Sequence, residues 1–268
     1  MSSASPSQIM PVLFLGHGSP MNALAENSFT KTLNSLGKSL PEPKAILCIS
    51  AHWQTEGTFV TSTDNPKQIY DFYGFPRELN ELKYPAKGSQ VAAIKVHSLF
   101  ENVSVGFDNG QWGIDHGAWS VLIHLYPQAN IPVLQLSMDL KLSPQEHYEL
   151  AKELIKLREE GFLVVGSGNI VHNLWKIGWA DDAPAHPWAT GFDEWFKEKL
   201  LSEDDKALVA DFKTAPGGQE SVPTLEHYLP ALYVLAARKP DDKLSFIFEG
   251  IQNSSISMRS FILDSRQI

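Results

Sequence analysis

The 268-residue chain reads as a single α/β domain with a central, largely parallel or mixed sheet flanked by helices. Three observations predict it. Residues 10–15, 45–50, 131–136 and 162–165 are near-continuous apolar runs of strand length, and such runs suit strands buried on both faces of a sheet. Stretches with apolar residues at helical spacing fall between them, and that alternation is the pattern of an α/β fold. The composition, 43% hydrophobic and 20% charged residues, is that of an ordinary globular chain at a length one domain can fill.

Taken in order, residues 1–9 read as a disordered, frayed tail and 10–268 as the single catalytic domain. Met10 to Leu15 and Ala45 to Ser50 are the first two strands, and Gly57 to Thr61 is a weaker one. Gly88 to Phe100 is helical in spacing, Val103 to Phe107 is a weaker strand, and Ile131 to Leu136 is a strong one. The clearest helix runs from Pro144 to Glu160. Ser143 is its N-cap, Pro144 takes the first helical position, Glu146 closes a capping box, and Gly161 stops it. Phe162 to Val165 follows as a buried strand. The Pro-, Asp- and Lys-rich segment 181–218 is expected to hold helices with a loop. Leu225 to Ala237 has helical spacing, and Ser245 to Glu249 and Ser257 to Leu263 are weaker strands.

Charge and composition exclude several functions. The formal net charge is −9 with no basic cluster, so neither nucleic acid nor an anionic membrane surface is an expected partner. No stretch reaches the roughly 18 apolar residues of a membrane span. The N-terminus lacks a signal peptide's charged start and apolar run, and Cys48 is the sole cysteine, so a cytoplasmic, reducing location is expected. Cys48 lies inside a strand and reads as a small buried hydrophobe. Any metal site must therefore use imidazole and carboxylate.

The histidines carry the chemistry. His17 follows the strand PVLFLG within GHGSP, His52 follows ILCISA, and His172 lies seven residues beyond Val165 in GSGNIVHN. Ligands of open parallel sheets bind at the carboxyl ends of the strands, so three imidazoles just past three strand ends would gather on one rim. His227 lies in PTLEHYLP near the start of a late helix, beside Glu226, and His116 lies in WGIDHGAW, read as a loop. For any one histidine an ordinary structural role competes with metal binding. That role is assigned to His97, His124 and His147 within helical patterns and to His186 in a polar loop. Trp53, Trp112, Trp119 and Trp188 read as core or rim. G-x-S-x-G, G-x-G-x-x-G, the P-loop and H-E-x-x-H are all missing, which removes the usual nucleophile elbow, phosphate cradles and metalloprotease helix.

Five segments in order, LFLGHGSPMN, SAHW, GIDHGAW, SGNIVHN and PTLEHYLPALY, resemble the DOPA 4,5-dioxygenase branch of the class III extradiol ring-opening dioxygenases. The resemblance spans nearly the whole chain from Met10. It implies a non-haem enzyme that opens a small catechol such as DOPA beside its hydroxyls, using O2, to a muconic semialdehyde (seco-DOPA from DOPA). It implies one divalent metal ion, Fe(II) for activity with Zn(II) as another possible occupant, held by His17, His52 and His227. His172 matches the active-site histidine, a proton-transfer base that can also approach the metal as a fourth ligand. His116 matches the histidine beside substrate and oxygen. Distant relatives use two histidines and a glutamate, which makes Glu226 the alternative to His227. The competing functions are a zinc hydrolase built on the same cluster, with zinc activating water, and a non-catalytic metal-binding protein.

Overall fold

The computed structural model describes residues 9–100, 103–180 and 182–266; apart from Ile9, the expected tail lies outside them. Strands β1 (Val12–Gly16), β2 (Ala45–Ser50), β3 (Val133–Gln135), β4 (Phe162–Gly168), β5 (Lys243–Phe248) and β6 (Ser260–Asp264) form one sheet in the order β5-β6-β1-β4-β2-β3. The four strands β1, β4, β2 and β3 are mutually parallel, whereas β6 runs antiparallel to β1 and β5 antiparallel to β6. The sheet is thus mixed, with a parallel centre.

The apolar runs are continuous because both faces of that centre are covered. Successive side chains point to opposite faces. Val12, Phe14, Leu47, Ile49 and Val164 pack on one side with residues of α2 (Gln90–Leu99), α4 (Pro144–Ala151), α5 (Leu154–Glu159), α6 (Pro187–Leu201), α7 (Asp205–Ala210) and α8 (Leu229–Ala236). Leu13, Leu15, Ile46, Cys48, Leu163 and Val165 pack on the other with α1 (Ser28–Ser39) and α3 (His116–Leu125). Each fully buried aliphatic or aromatic side chain contributes about 1.5–3 kcal/mol, so two continuous faces outweigh the weak local propensities nearby. Cys48 is wholly buried on the second face, and burial pushes its thiol well above the ordinary value.

Three expectations need correction. The helix foreseen over Pro144 to Glu160 is two helices. Its capping box forms, with Ser143 N–H donating to Glu146 at 2.7 Å. At Lys152 and Glu153, however, the ladder tightens to i→i+3 bonds onto Glu149 and Leu150, a short 3₁₀-like break. The helix foreseen over Leu225 to Ala237 spans only Leu229–Ala236. Its Pro230 sits in the first turn, where a missing N–H costs nothing, and His227 lies in the turn before it. His116 is not in a loop: it is the first residue of α3, whose N-cap Asp115 accepts from Ala118 N–H at 3.2 Å. Helix α1, with a capping box between Asn27 and Thr30, had no counterpart among the expected elements. Among the described residues, no helix is long and apolar enough to cross a membrane.

Candidate metal centre

Parallel pairing with Gly16 opposite Gly168 and Ser50 opposite Ser167 brings three strand ends to one rim. His17 follows β1 directly, His52 follows β2 by two residues and His172 follows β4 by four. The result matches the rim foreseen from spacing. His17 Nε2 and His52 Nε2 face each other at 3.3 Å. The His227 ring centroid lies 5.1 Å from that of His17 and 5.2 Å from that of His52. His172 stacks on His227 with centroids 3.4 Å apart and planes 10° apart, and His116 meets His52 at 3.9 Å. The expected residues His17, His52, His116, His172 and His227 therefore occupy one cluster, and His97, His124, His147 and His186 lie outside it.

Two glycines make this convergence possible. A Cβ on Gly168 would lie 2.2 Å from the His227 carbonyl oxygen. Without one, the turn carrying His227 closes on the end of β4, where Asn169 N–H donates to that same carbonyl at 2.9 Å. A Cβ on Gly117 would lie 2.5 Å from Ser50 Oγ and 2.9 Å from His52 Cδ2. Its absence lets the start of α3, with His116, approach the end of β2. Ser50 Oγ–H donates to the N-cap carboxylate of Asp115 at 2.6 Å, and Gln135 Nε2 donates to the other oxygen at 2.7 Å, which ties the helix start to two strands.

Hydrogen bonds fix which nitrogens are bare. The Ser167 hydroxyl donates its one proton to the Gly117 carbonyl at 2.5 Å. Its oxygen can then only accept from His17 Nδ1, 3.0 Å away, which leaves His17 Nε2 without a proton. Asp71 faces two rings. One carboxylate oxygen lies 3.2 Å from His52 Nδ1, and the other lies 2.9 Å from His116 Nδ1 and accepts from the His116 backbone N–H at 3.0 Å. The His116 ring contact is close but poorly aligned, so that nitrogen has no hydrogen bond of good geometry. A carboxylate opposite Nδ1 favours the N–H there and makes the outer nitrogen a better donor of its lone pair.

The electrostatics agree. Burial pushes the Asp71 carboxyl up, but His116 and His52 outweigh it and hold it well below the usual carboxylate range. Burial depresses His17 and His227 far below the ordinary histidine value, helped by the surrounding imidazoles, and lowers His172 to about 3. Burial and the neighbouring His52 also lower His116, whereas in His52 burial is overcome by Asp71 and the value is raised. His17, His116, His172 and His227 are thus driven toward the neutral form, with His52 among them, around a place suited to a cation.

A metal ion fits that place. Two nitrogens each about 2.0–2.1 Å from one tetrahedral ion stand about 3.4 Å apart, close to the observed 3.3 Å between the two facing Nε2 atoms. His227 Nδ1 is also buried with no hydrogen-bond partner. Nitrogen and carboxylate donors able to meet on one ion form two groups, His17 with His52 and His116, and His172 with Glu226 and His227. Beside the second group is a cavity of about 310 Å³ lined by His172, Leu174, Trp175, Pro223, Thr224 and Glu226.

Asp71 and Trp175 escaped sequence reasoning. Asp71 lies in the irregular stretch YDFYGFP, after no strong strand, and nothing in its spacing ties it to residues 52 or 116. Trp53 and Trp119 are buried as expected, and Trp112 stacks on Trp53 at 5.8 Å.

Histidines gathered on the rim of a parallel sheet, with an adjoining cavity, define an α/β enzyme with a non-haem metal centre. A profile of the catalytic LigB subunit of aromatic ring-opening dioxygenase matches residues 11–259. The chain belongs to this LigB family and is an extradiol-type oxidoreductase that opens aromatic rings with O2. It is 45% identical over 253 residues to an Escherichia coli protein named 4,5-DOPA dioxygenase extradiol, covering 94% of this chain and 93% of that one. A Beta vulgaris protein of the same name is 36% identical over 270 residues, covering 96% and 97%. The crystal structure of an uncharacterised E. coli K12 protein, 42% identical, superposes with a TM-score of 0.83 over 94% of this chain and 99% of that one.

Proposed function

We propose that the chain is a catechol extradiol dioxygenase that opens DOPA, or a closely similar small catechol, at the 4,5 bond to give seco-DOPA. The observation that carries the reading is the pair of Nε2 atoms of His17 and His52, facing each other at 3.3 Å within the histidine cluster. His17, His52 and His227 are the assigned metal ligands, and the partnerless Nδ1 of His227 favours that residue over Glu226 as the third. A divalent ion held there, Fe(II) for turnover with Zn(II) as an alternative occupant, supplies a Lewis-acidic template for the two hydroxyls and for O2.

The protein's own groups do the rest. His172 lines the cavity and is kept neutral by burial, so it meets a catechol hydroxyl as an acceptor and can return the proton later. It stacks on His227, and that closeness supports a second role as a fourth ligand. His116, next to His52 and to the Asp71 carboxylate, is the residue assigned to steer the oxygen. Burial of His17, His116 and His227 excludes water that would compete for those positions. A cytoplasmic location accords with a single buried thiol.

The test is anaerobic reconstitution with Fe(II), then DOPA and simple catechols under air, following O2 uptake and a yellow ring-opened product. Uptake with stoichiometric product, abolished by His17→Ala or His52→Ala, is the expected result. A protein that holds metal tightly yet consumes no O2 with any catechol would sink the proposal.

A further inference from the structure

The cavity beside His172 is mostly apolar, walled by Leu174, Trp175 and Pro223, and it contains one carboxylate, that of Glu226. A Glu226 oxygen lies within 4.8 Å of ring nitrogens of both His172 and His227. A molecule reacting at His172 therefore carries its substituent past this group. Thr224 Oγ1–H donates to Glu226 Oε1 at 2.7 Å, which anchors the side chain in place while leaving lone pairs free. Among the described residues no lysine or arginine forms an ion pair with it. Lys213 is near enough to feel its charge, but its ammonium group donates to the Val222 carbonyl and forms no ion pair with the carboxylate.

We propose that Glu226 selects the substrate by charge: it binds the ammonium group of an amine-bearing catechol and repels catechols whose side chain ends only in a carboxylate. The inference rests on the catechol reading above and sharpens it from a ring class to a side-chain class. An anchored carboxylate with no ion pair keeps acceptor oxygens free, and a substrate ammonium meets them with a charge-assisted hydrogen bond. Trp175 adds an indole face on the same cavity, a favourable neighbour for a cation. An anionic substituent would meet like charge at this carboxylate. On this view Glu226 is a specificity residue and His227 remains the ligand.

The experiment compares wild type with Glu226→Gln on three catechols of matched ring: dopamine, DOPA and 3-(3,4-dihydroxyphenyl)propionate. Turnover of the Fe(II) enzyme and binding to its redox-inert Zn(II) form are both measured, along with metal content. In wild type, kcat/KM falls from dopamine to the propionate. In Glu226→Gln, kcat/KM for dopamine drops about 10- to 100-fold, the loss expected for one hydrogen bond to a charged group. The propionate improves several-fold, and metal content stays at the wild-type value. The two dissociation constants on the Zn(II) form move in the same directions. An even loss on all three catechols, or loss of the metal, would overturn the assignment by making Glu226 a ligand or a structural residue. The two readings fail separately. If wild type opens all three equally and Glu226→Gln leaves their ratios alone, selection by charge is wrong while ring opening stands. If no catechol is opened but the Zn(II) form still binds dopamine through Glu226, the reaction is wrong while the recognition stands.

Discussion

Replacing Asp71 with Asn changes almost no volume and tests the hydrogen-bond logic of the centre directly. The native carboxylate offers two acceptors, one 3.2 Å from His52 Nδ1 and one 2.9 Å from His116 Nδ1. An amide has one acceptor and one donor. The acceptor must stay where the His116 backbone N–H donates at 3.0 Å, because an NH2 group there would leave that N–H facing another donor. The NH2 group is thereby turned toward His52 Nδ1, and His52 is driven to the tautomer with its proton on Nε2, the nitrogen facing His17. Loss of such a supporting partner typically costs 10- to 100-fold in metal affinity, about 1.4–2.8 kcal/mol. Competition of the zinc form against a chromophoric chelator measures it, and the absorption spectrum of the cobalt-substituted protein reports the altered ligand field independently of turnover. An Asp71→Asn protein with wild-type zinc affinity and an unchanged cobalt spectrum would refute the assignment of tautomers.

Three further outcomes are expected. His172→Ala should keep most of its metal and lose turnover, measured by metal analysis alongside O2 uptake; full activity would end the role of His172 as base. Gly117→Ala places a methyl 2.5 Å from Ser50 Oγ, so it should destabilise the fold by about 1–3 kcal/mol and misplace His116, read as a lower urea midpoint together with reduced kcat. The metal-free protein should lose stability as pH falls below about 6.5: the unfolded chain takes up protons there, while His172, lowered to about 3, and the strongly depressed His17 and His227 do not. Each such group steepens the fall by about 1.4 kcal/mol per pH unit. Urea midpoints that do not decline between pH 7 and 5.5 would contradict that direction.

What could be read in advance follows from physical range. His17, His52 and the strands before them were legible because a parallel centre leaves a continuous apolar signature and puts chemistry at its carboxyl ends. The rim they form needed no more than that. Asp71 was hidden, since it meets His52 and His116 through space from an irregular segment with no periodicity. The start of α3 was hidden by its own glycine: Gly117 lowers local helix propensity, and only the close approach to Ser50 and His52 explains why it is there. The break at Lys152 also went unseen, because Lys152 and Glu153 are good helix formers and carry no local signal of it.

The imidazoles of this centre do not share one kind of support. His17 and His52 hang from the ends of buried strands in the middle of a six-stranded sheet, clamped by Ser167 and Asp71. Glu226 belongs to the turn 223–228, and Trp175 to a short helical turn over Leu174–Lys176 whose side chains reach well into solvent. The strand-borne pair and the two turns are thus separate pieces of backbone: substitutions at Glu226 and Trp175 can change which aromatic is held, while His227, in the same turn as Glu226, has to stay for the metal.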